Sequence, residues 1–447
     1  MKRFLVSGWI LLCSFYLLPD LGYSQSNNQN MTLDECIKYA LQNEPTLQQQ
    51  KIAEQITQKD VQINLADWYP QINFNYDITH YIELQTSIIP NQNRPGEKIA
   101  AKFGLKNNSN LIFSATQTIF NNNLRLASRT APVLRQQASQ NVTASKIDVV
   151  VNVSKAFFDL FITMDQLSIL DEDIVRLERN LRDTYNQYES GITDKIDYKR
   201  ATIALNSARS QKKAAQESII YKTAVLKQTI GYPAENDLVV AFDTASLRQA
   251  AIVDTLQTLE PVNRIEYQQL QTSLKLQETN LSYYRWAFLP TLSAIFTHDF
   301  LFLNDNISDL YNRSYPYTYY GLRLSVPLFQ GFKRLRNVQK AELQIRSFDW
   351  QQKGLKNQIN SEYRLALANY KSAVSDWKVL EENEEIARDV YNTVNLQYKE
   401  GIKQYLEVIV AETDLRSAQL DARNALLRVI SSKYDILRAM GTVPYNE

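Results

Sequence analysis

Tyr188-Glu189-Ser190-Gly191-Ile192 and Tyr398-Lys399-Glu400-Gly401-Ile402 carry one pattern at two places in the chain. Gly401 lies 210 residues after Gly191 (401 − 191), and the same offset runs forward without a gap. Ala201 meets Ala411, Leu205 meets Leu415, Ala208 meets Ala418 and Gly231 meets Gly441. Upstream, Trp68-Tyr69-Pro70-Gln71-Ile72 matches Phe288-Leu289-Pro290-Thr291-Leu292 at 220 (290 − 70). Thr118-Ile119-Phe120 matches Pro327-Leu328-Phe329 at 209 (327 − 118). The large change of offset, from 220 to 209, falls where a hairpin loop is expected. Such self-similarity predicts two copies of one supersecondary unit, not two unrelated domains.

Outward from each Tyr-x-x-Gly tip the pattern is helical. Before the second tip, Ile359, Tyr363, Ala366, Tyr370, Ala373, Trp377, Leu380, Ala387, Tyr391, Val394 and Tyr398 keep a three-four spacing, with Glu384 the one polar residue among them. Before the first, Val150, Val153, Phe157, Leu160, Met164 and Leu167 do the same. These are coiled-coil seams. From residue 121 to residue 188 such a helix measures roughly 100 Å at about 1.5 Å per residue, a length no globular core requires. Pro132 should sit near its start or kink it. After each tip an alanine-rich helix returns, with Ala201, Ala204, Leu205, Ala208 and Ala215 on its apolar side in the first copy. Gly231 and Pro233, and again Gly441 and Pro444, stop it.

Further upstream the period changes to two. Ile72, Phe74, Tyr76 and Ile78 alternate with Asn73, Asn75 and Asp77, which reads as a strand. A second strand is expected near residues 111–118, closing a hairpin over about 70–119. Its counterpart spans about 290–328, where Leu322, Leu324 and Val326 alternate with Arg323 and Ser325. Pro70, Pro290 and Pro327 mark the helix–strand junctions. Tyrosines 311, 315, 317, 319 and 320 cluster at a strand end, as a membrane-interface girdle or an aromatic core patch would. Each unit opens with a helix. Thr32-Leu33-Asp34-Glu35 is a capping box, and Pro45 breaks the helix that follows it.

The start of the chain reads as a secretory signal peptide over 1–24: Lys2 and Arg3, an apolar run from Phe4 to Leu18, then small residues before a cut after Ser24. The two repeats would then occupy 25–240 and 241–447. After removal Cys36 is the only cysteine, so no disulfide framework or cysteine metal site is expected. Lys+Arg (49) and Asp+Glu (48) nearly cancel, which gives nucleic acid no footprint. No phosphate loop, His-Glu-x-x-His or nucleophile elbow occurs, and His80 and His298 are too few for a metal site, so neither enzyme nor cofactor is expected. An exported chain with strand hairpins and outsized helices fits a membrane barrel on a spacer. Four strands cannot close, and open edges are not tolerated in lipid. Two chains would supply eight strands and three would supply twelve; more than eight are needed for an aqueous lumen. The competing class is an exported coiled-coil scaffold or adhesin without channel activity, which accounts for the helices but not for the paired hairpins.

Taken in order, Thr32-Leu-Asp-Glu-Cys-Ile-Lys-Tyr-Ala-Leu41, Pro70, Pro290, Val326-Pro-Leu-Phe-Gln-Gly331, both tips and the two glycine endings resemble the TolC-like outer-membrane factor family over essentially the whole mature length. The resemblance implies a homotrimer in outer-membrane lipid, with a twelve-stranded barrel above an α-helical periplasmic barrel. It implies a periplasmic adaptor and an inner-membrane transporter as partners, in efflux or type I secretion, and no cofactor. It also implies roles at the tips. Asp197, Tyr398 and Lys403 stand where the family holds its closed state, and Glu407 where an acidic ring marks the pore entrance. Gly191, Ile192, Gly401 and Ile402 form the turns that meet the adaptor. Copy one departs from the Pro-Leu-Phe-x-Gly pattern at Thr118 and Asn121–Asn123. Lys403 stands where the family has Arg, which removes a planar bidentate contact, and Val410 stands where it has a second acid.

Overall fold

The computed structural model describes residues 30–91, 94–241, 247–248, 251–253 and 258–445; the expected signal peptide lies outside them. The capping box forms as written: the Thr32 amide donates to Glu35 Oε2 at 2.8 Å, and the Glu35 amide donates to Thr32 Oγ1 at 3.4 Å. It opens α1 (Leu33–Asn43). Pro45 then excludes the helical conformation from Glu44, which sits at ψ 124°. The same proline occupies the first turn of α2 (Pro45–Ala66), where its missing N–H costs nothing.

Strands β1 (Gln71–His80) and β4 (Asn107–Phe120) form the first hairpin. Its loop carries a small separate sheet, β2 (Thr86–Pro90) paired with β3 (Lys98–Lys102), which the alternation did not predict. The long helix α3 (Asn122–Glu189) follows, with Pro132 inside it near the N-terminal end, and α4 (Lys195–Ile230) returns. The second half has a short 3-10 turn at Pro261–Asn263, then α5 (Ile265–Arg285), β5 (Thr291–Asn304), a 3-10 turn at Ile307–Asn312, β6 (Ser314–Ser325), α6 (Lys333–Lys399) and α7 (Tyr405–Met440). Most of the chain is therefore helical. The four long strands make one antiparallel sheet in the order β1-β4-β5-β6, so hairpin one and hairpin two join through β4 and β5.

The main core lies midway along the helices. There Val153, Leu160 and Ile162 of α3 pack with Leu226 and Ile230 of α4, Ile430 of α7, and Cys36 and Leu41 of α1. Gly231 and Gly441 end α4 and α7 with left-handed φ of 71° in both cases. Each backbone bends directly against the C-terminal end of a short helical segment, Asn43 for Gly231 and Asn263 for Gly441. No described helix is long and apolar enough to cross a membrane.

Candidate functional site

Pairing register sorts the sheet's side chains into two faces. One carries Ile72, Phe74, Tyr76 and Ile78 of β1, Leu111, Phe113 and Ala115 of β4, Ala294, Phe296 and Phe300 of β5, and Tyr320, Leu322 and Leu324 of β6. The other, more polar face carries Asn73, Asn75 and Asp77, then Asn110, Ser114 and Thr116 with Ile112, then Thr297 and Asp299 with Ile295 and Leu301, then Tyr317, Tyr319 and Arg323. The apolar face is unburied in the isolated chain: Ile72 is 75% and Tyr320 87% exposed. Phe74 and Phe113 touch across the strands at 4.7 Å between ring centroids. An apolar patch of this extent on a monomer marks lipid or a partner surface.

The tyrosine cluster divides along the same lines. Tyr315, Tyr317 and Tyr319 fall on the polar face because they alternate, and the Tyr317 and Tyr319 rings stack at 6.4 Å. Tyr320 falls on the apolar face, and Tyr311 caps that face's outer end by hydrogen-bonding Tyr76 at 2.8 Å and Ser109 at 3.2 Å. The cluster is therefore split between the two faces, with Tyr315, Tyr317 and Tyr319 as a row on the polar one. Pro70 and Pro290 directly precede β1 and β5, and Pro327 follows β6. Pro327, Phe288, Leu328, Phe329, Phe332 and Lys333 line a cavity of about 280 Å³ at the last junction.

At the opposite end of the molecule the two tips have one geometry. Gly191 (φ 76°) donates to the Tyr188 carbonyl at 2.9 Å and Ile192 to that of Gln187 at 2.9 Å. Gly401 (φ 74°) donates to Tyr398 at 2.9 Å and Ile402 to Gln397 at 2.8 Å. Ile192 and Ile402 are 74% and 72% exposed, apolar side chains presented to solvent at the far end of the hairpins.

Within one chain the expected gate residues are not all brought together. Lys403 Nζ pairs with Glu407 Oε2 at 2.5 Å, one turn along its own helix, rather than with Asp197. Tyr398 donates to Gln187 Oε1 at 2.9 Å. Burial holds the Tyr398 phenol above its usual value, and the nearby Asp197 carboxylate adds to this. So Asp197 and Tyr398 are neighbours, while Lys403 is engaged with Glu407.

A cluster that sequence reasoning missed lies above the tips. Asp173 of α3 is fully buried; its Oδ2 accepts from Arg416 Nη1 of α7 at 2.9 Å and its Oδ1 from Arg176 Nη2 at 3.1 Å. Glu412 of α7, 1% exposed, accepts from Asn180 Nδ2 at 3.0 Å. Burial, with Asp173 beside it, pushes the Glu412 carboxyl up to about 7. A signal was present: Asp173 stands between Leu170 and Leu177, and Glu412 between Val408 and Leu415, so both acids occupy seam positions. Glu384, the one acid noted in the α6 seam, is held by Arg388 at 2.8 Å and Arg423 at 3.2 Å. Among the described residues no group of His, Cys, Asp and Glu could hold a metal.

A strand sheet with one apolar and one more polar face, carried on helical hairpins of this length, is the architecture of a membrane protein with a coiled-coil extension. The outer membrane efflux protein family model matches residues 36–232 and 262–442, and the chain belongs to that family. It is 19% identical to the outer membrane protein TolC of Vibrio cholerae over 320 residues, 70% of this chain and 72% of that protein. It is 22% identical to the solvent efflux pump outer membrane protein SrpC of Pseudomonas putida over 255 residues, 56% of this chain and about half (53%) of that one. Its fold superposes on the Campylobacter jejuni CmeC outer membrane channel with a TM-score of 0.71 at 16% identity, covering 93% of this chain and 87% of that one. The protein is an outer-membrane efflux protein, and its relatives are channel proteins rather than enzymes.

Proposed function

We propose that three copies of this chain close a twelve-stranded barrel and form the outer-membrane duct of a tripartite efflux system. The observation that carries this reading is the four-stranded sheet itself. Among the described residues its edge strands β1 and β6 have no partner on their outer sides, and its two faces differ in polarity. In lipid those edges need partners, and a twelve-stranded closure joins β6 of one copy to β1 of the next. The apolar face then meets lipid, and Asn73, Asn75, Thr297, Tyr317 and Tyr319 line the lumen. The chain is read as two structural repeats, 25–240 and 241–447, each supplying one strand hairpin and one helical hairpin to the trimer.

The helical hairpins continue the duct through the periplasm. Their tips close it, with Asp197, Tyr398 and Lys403 as the latch and Glu407 at the pore entrance. With Lys403 held by Glu407 in its own chain, the latch to Asp197 is assigned across the trimer interface. Exposed Ile192 and Ile402, on the turns of Gly191 and Gly401, would engage a periplasmic adaptor, which an inner-membrane transporter energises; small molecules are the expected cargo, with secreted proteins a further class. Detergent-extracted protein should run as a trimer by light scattering and give small, rare openings in planar bilayers. Asp197→Ala combined with Lys403→Ala should open it further. Equal conductance in both would remove the latch, and a soluble monomer without channels would favour the scaffold class.

A further inference from the structure

Hairpin one (α3/α4) and hairpin two (α6/α7) are each held together internally by apolar side chains near the tip, such as Ile174 and Leu177 with Leu205 and Ala208, or Tyr391 with Val408 and Leu415. The joint between the hairpins, where α3 runs antiparallel to α7, adds a series of ion pairs to the apolar contacts of the main core. From top to bottom these are Asp148–Arg438 at 2.7 Å, Lys155–Asp435 at 2.6 Å, Asp165–Arg423 at 2.6 Å and Asp173–Arg416 at 2.9 Å. Solvent exposure falls along this series. The Asp148, Lys155, Asp435 and Arg438 side chains are between a third and a half exposed, whereas Asp173 and Glu412 are sealed. The sealed cluster lies roughly 20 Å above the tip turns, at about 1.5 Å per residue.

We propose that Asp173, Arg176, Arg416 and Glu412 form the clasp that binds hairpin two to hairpin one above the tip, and that Glu412 makes this clasp respond to protons. The inference rests on the channel reading for its consequence, though not for its chemistry. Two carboxylates and two guanidinium groups share the cluster, but they are not equally well matched. Asp173 takes both arginines. Arg176 Nε is 3.6 Å from Glu412 Oε1, too far for a hydrogen bond, and both atoms are buried without a partner. Glu412 is thus left with Asn180 as its one hydrogen-bonding neighbour on α3.

The groups facing Glu412 can be named element by element. Helix α3 presents Asp173, Arg176 and Asn180; α6 presents Tyr391, with the Arg176 guanidinium 6.0 Å over its ring; α7 itself presents Tyr405 and Arg416. From α4, Asp197 reaches Tyr405 electrostatically. The Tyr405 hydroxyl is also buried without a hydrogen-bond partner. A charged Glu412 in this setting is poorly compensated, whereas a neutral one removes the repulsion from Asp173 and needs no cation.

The sign follows from the direction of the shift. The carboxyl titrates near 7 when the joint is closed and in the ordinary range near 4.5 when it is open to water. Closure is therefore favoured below pH 7 and loses that support as pH rises through about 7. Between pH 6 and pH 8 the open-to-closed ratio should rise about tenfold for each protomer that opens.

Double electron–electron resonance on detergent-extracted full-length protein tests the clasp directly, with spin labels at Ile203→Cys on α4 and Asp389→Cys on α6. The inter-hairpin distance should lengthen or broaden from pH 6 to pH 8 in the parent. In Glu412→Gln, which keeps the acceptor for Asn180 and cannot ionise, it should stay at its pH 6 form throughout. Planar-bilayer recordings of the same two proteins should show open probability rising with pH in the parent alone. A distance that shifts equally in both proteins, or in neither, overturns the clasp. Channels absent from every variant, with the distance shift intact, would overturn the duct and leave the clasp.

Discussion

A Cβ on Gly231 would stand 2.5 Å from the Asn43 carbonyl oxygen, and one on Gly441 2.7 Å from that of Asn263, whereas at Gly191 and Gly401 it would meet nothing within 4 Å. All four have left-handed φ, so alanine costs about 1 kcal/mol at each from backbone strain. At Gly231 and Gly441 the overpacking adds roughly 1–3 kcal/mol. Thermal dissociation of the assembly should therefore drop clearly for Gly231→Ala and only slightly for Gly191→Ala; equal drops would refute the close approach. Buried Arg416 makes a second residue-level prediction. Arg416→Met leaves buried Asp173 with Arg176 as its remaining cation, at about 1.5–3 kcal/mol for the lost charged hydrogen bond, and adding Asp173→Asn should recover part of that loss in the same melt. The glycine positions and the capping box were legible in the sequence because each acts through its own local backbone. The Asp173–Arg416 pair was not, because its members lie 243 residues apart and only the fold makes them neighbours.

Among the elements, the sheet faces make the sharpest prediction. Leu322→Arg puts a charge on the apolar face and should cost up to about 2–4 kcal/mol, the range for Arg on a lipid-facing strand position. Thr297→Arg, on the polar face, should fold normally and shift ion selectivity. Gel mobility of unheated against heated protein reads the folded fraction; equal loss in both would mean that the faces are assigned wrongly. Strands β1 and β6 were readable because Ile72–Ile78 and Leu322–Val326 alternate cleanly. Strands β2 and β3 were not, because Pro90 ends one, and Lys98 and Lys102 flank Ile99, Ala100 and Ala101 in the other without an apolar alternation. Nor does the Val326–Gly331 stretch announce that Phe332 after it takes a left-handed φ of 65° at the start of α6.

On the scale of the whole molecule, length and periodicity announced the helical extension, since 68 and 67 residues of continuous helix have no place in a globular core. Which sheet face is wet was beyond the reach of a single strand, whose alternation defines two faces without ranking them. Cross-strand register supports the proposed lumen face by gathering Phe74, Phe113, Phe300 and Leu322 on one side and Asn73, Ser114 and Thr297 on the other. The proposed gate could be read only through family resemblance, because within the chain Lys403 pairs with Glu407 and its contact with Asp197 is a proposal about the trimer. Closure by oligomerisation is the central claim, and a cationic water-soluble thiol reagent applied to reconstituted channels tests it most directly. Native Cys36 is buried and its thiol is pushed up to about 12 by burial, so it stays silent. Asn73→Cys on the polar face should lose conductance on reagent addition, and Phe74→Cys on the apolar face should not. Block at Phe74→Cys with none at Asn73→Cys, or no difference between the two, would contradict a barrel closed around the polar face.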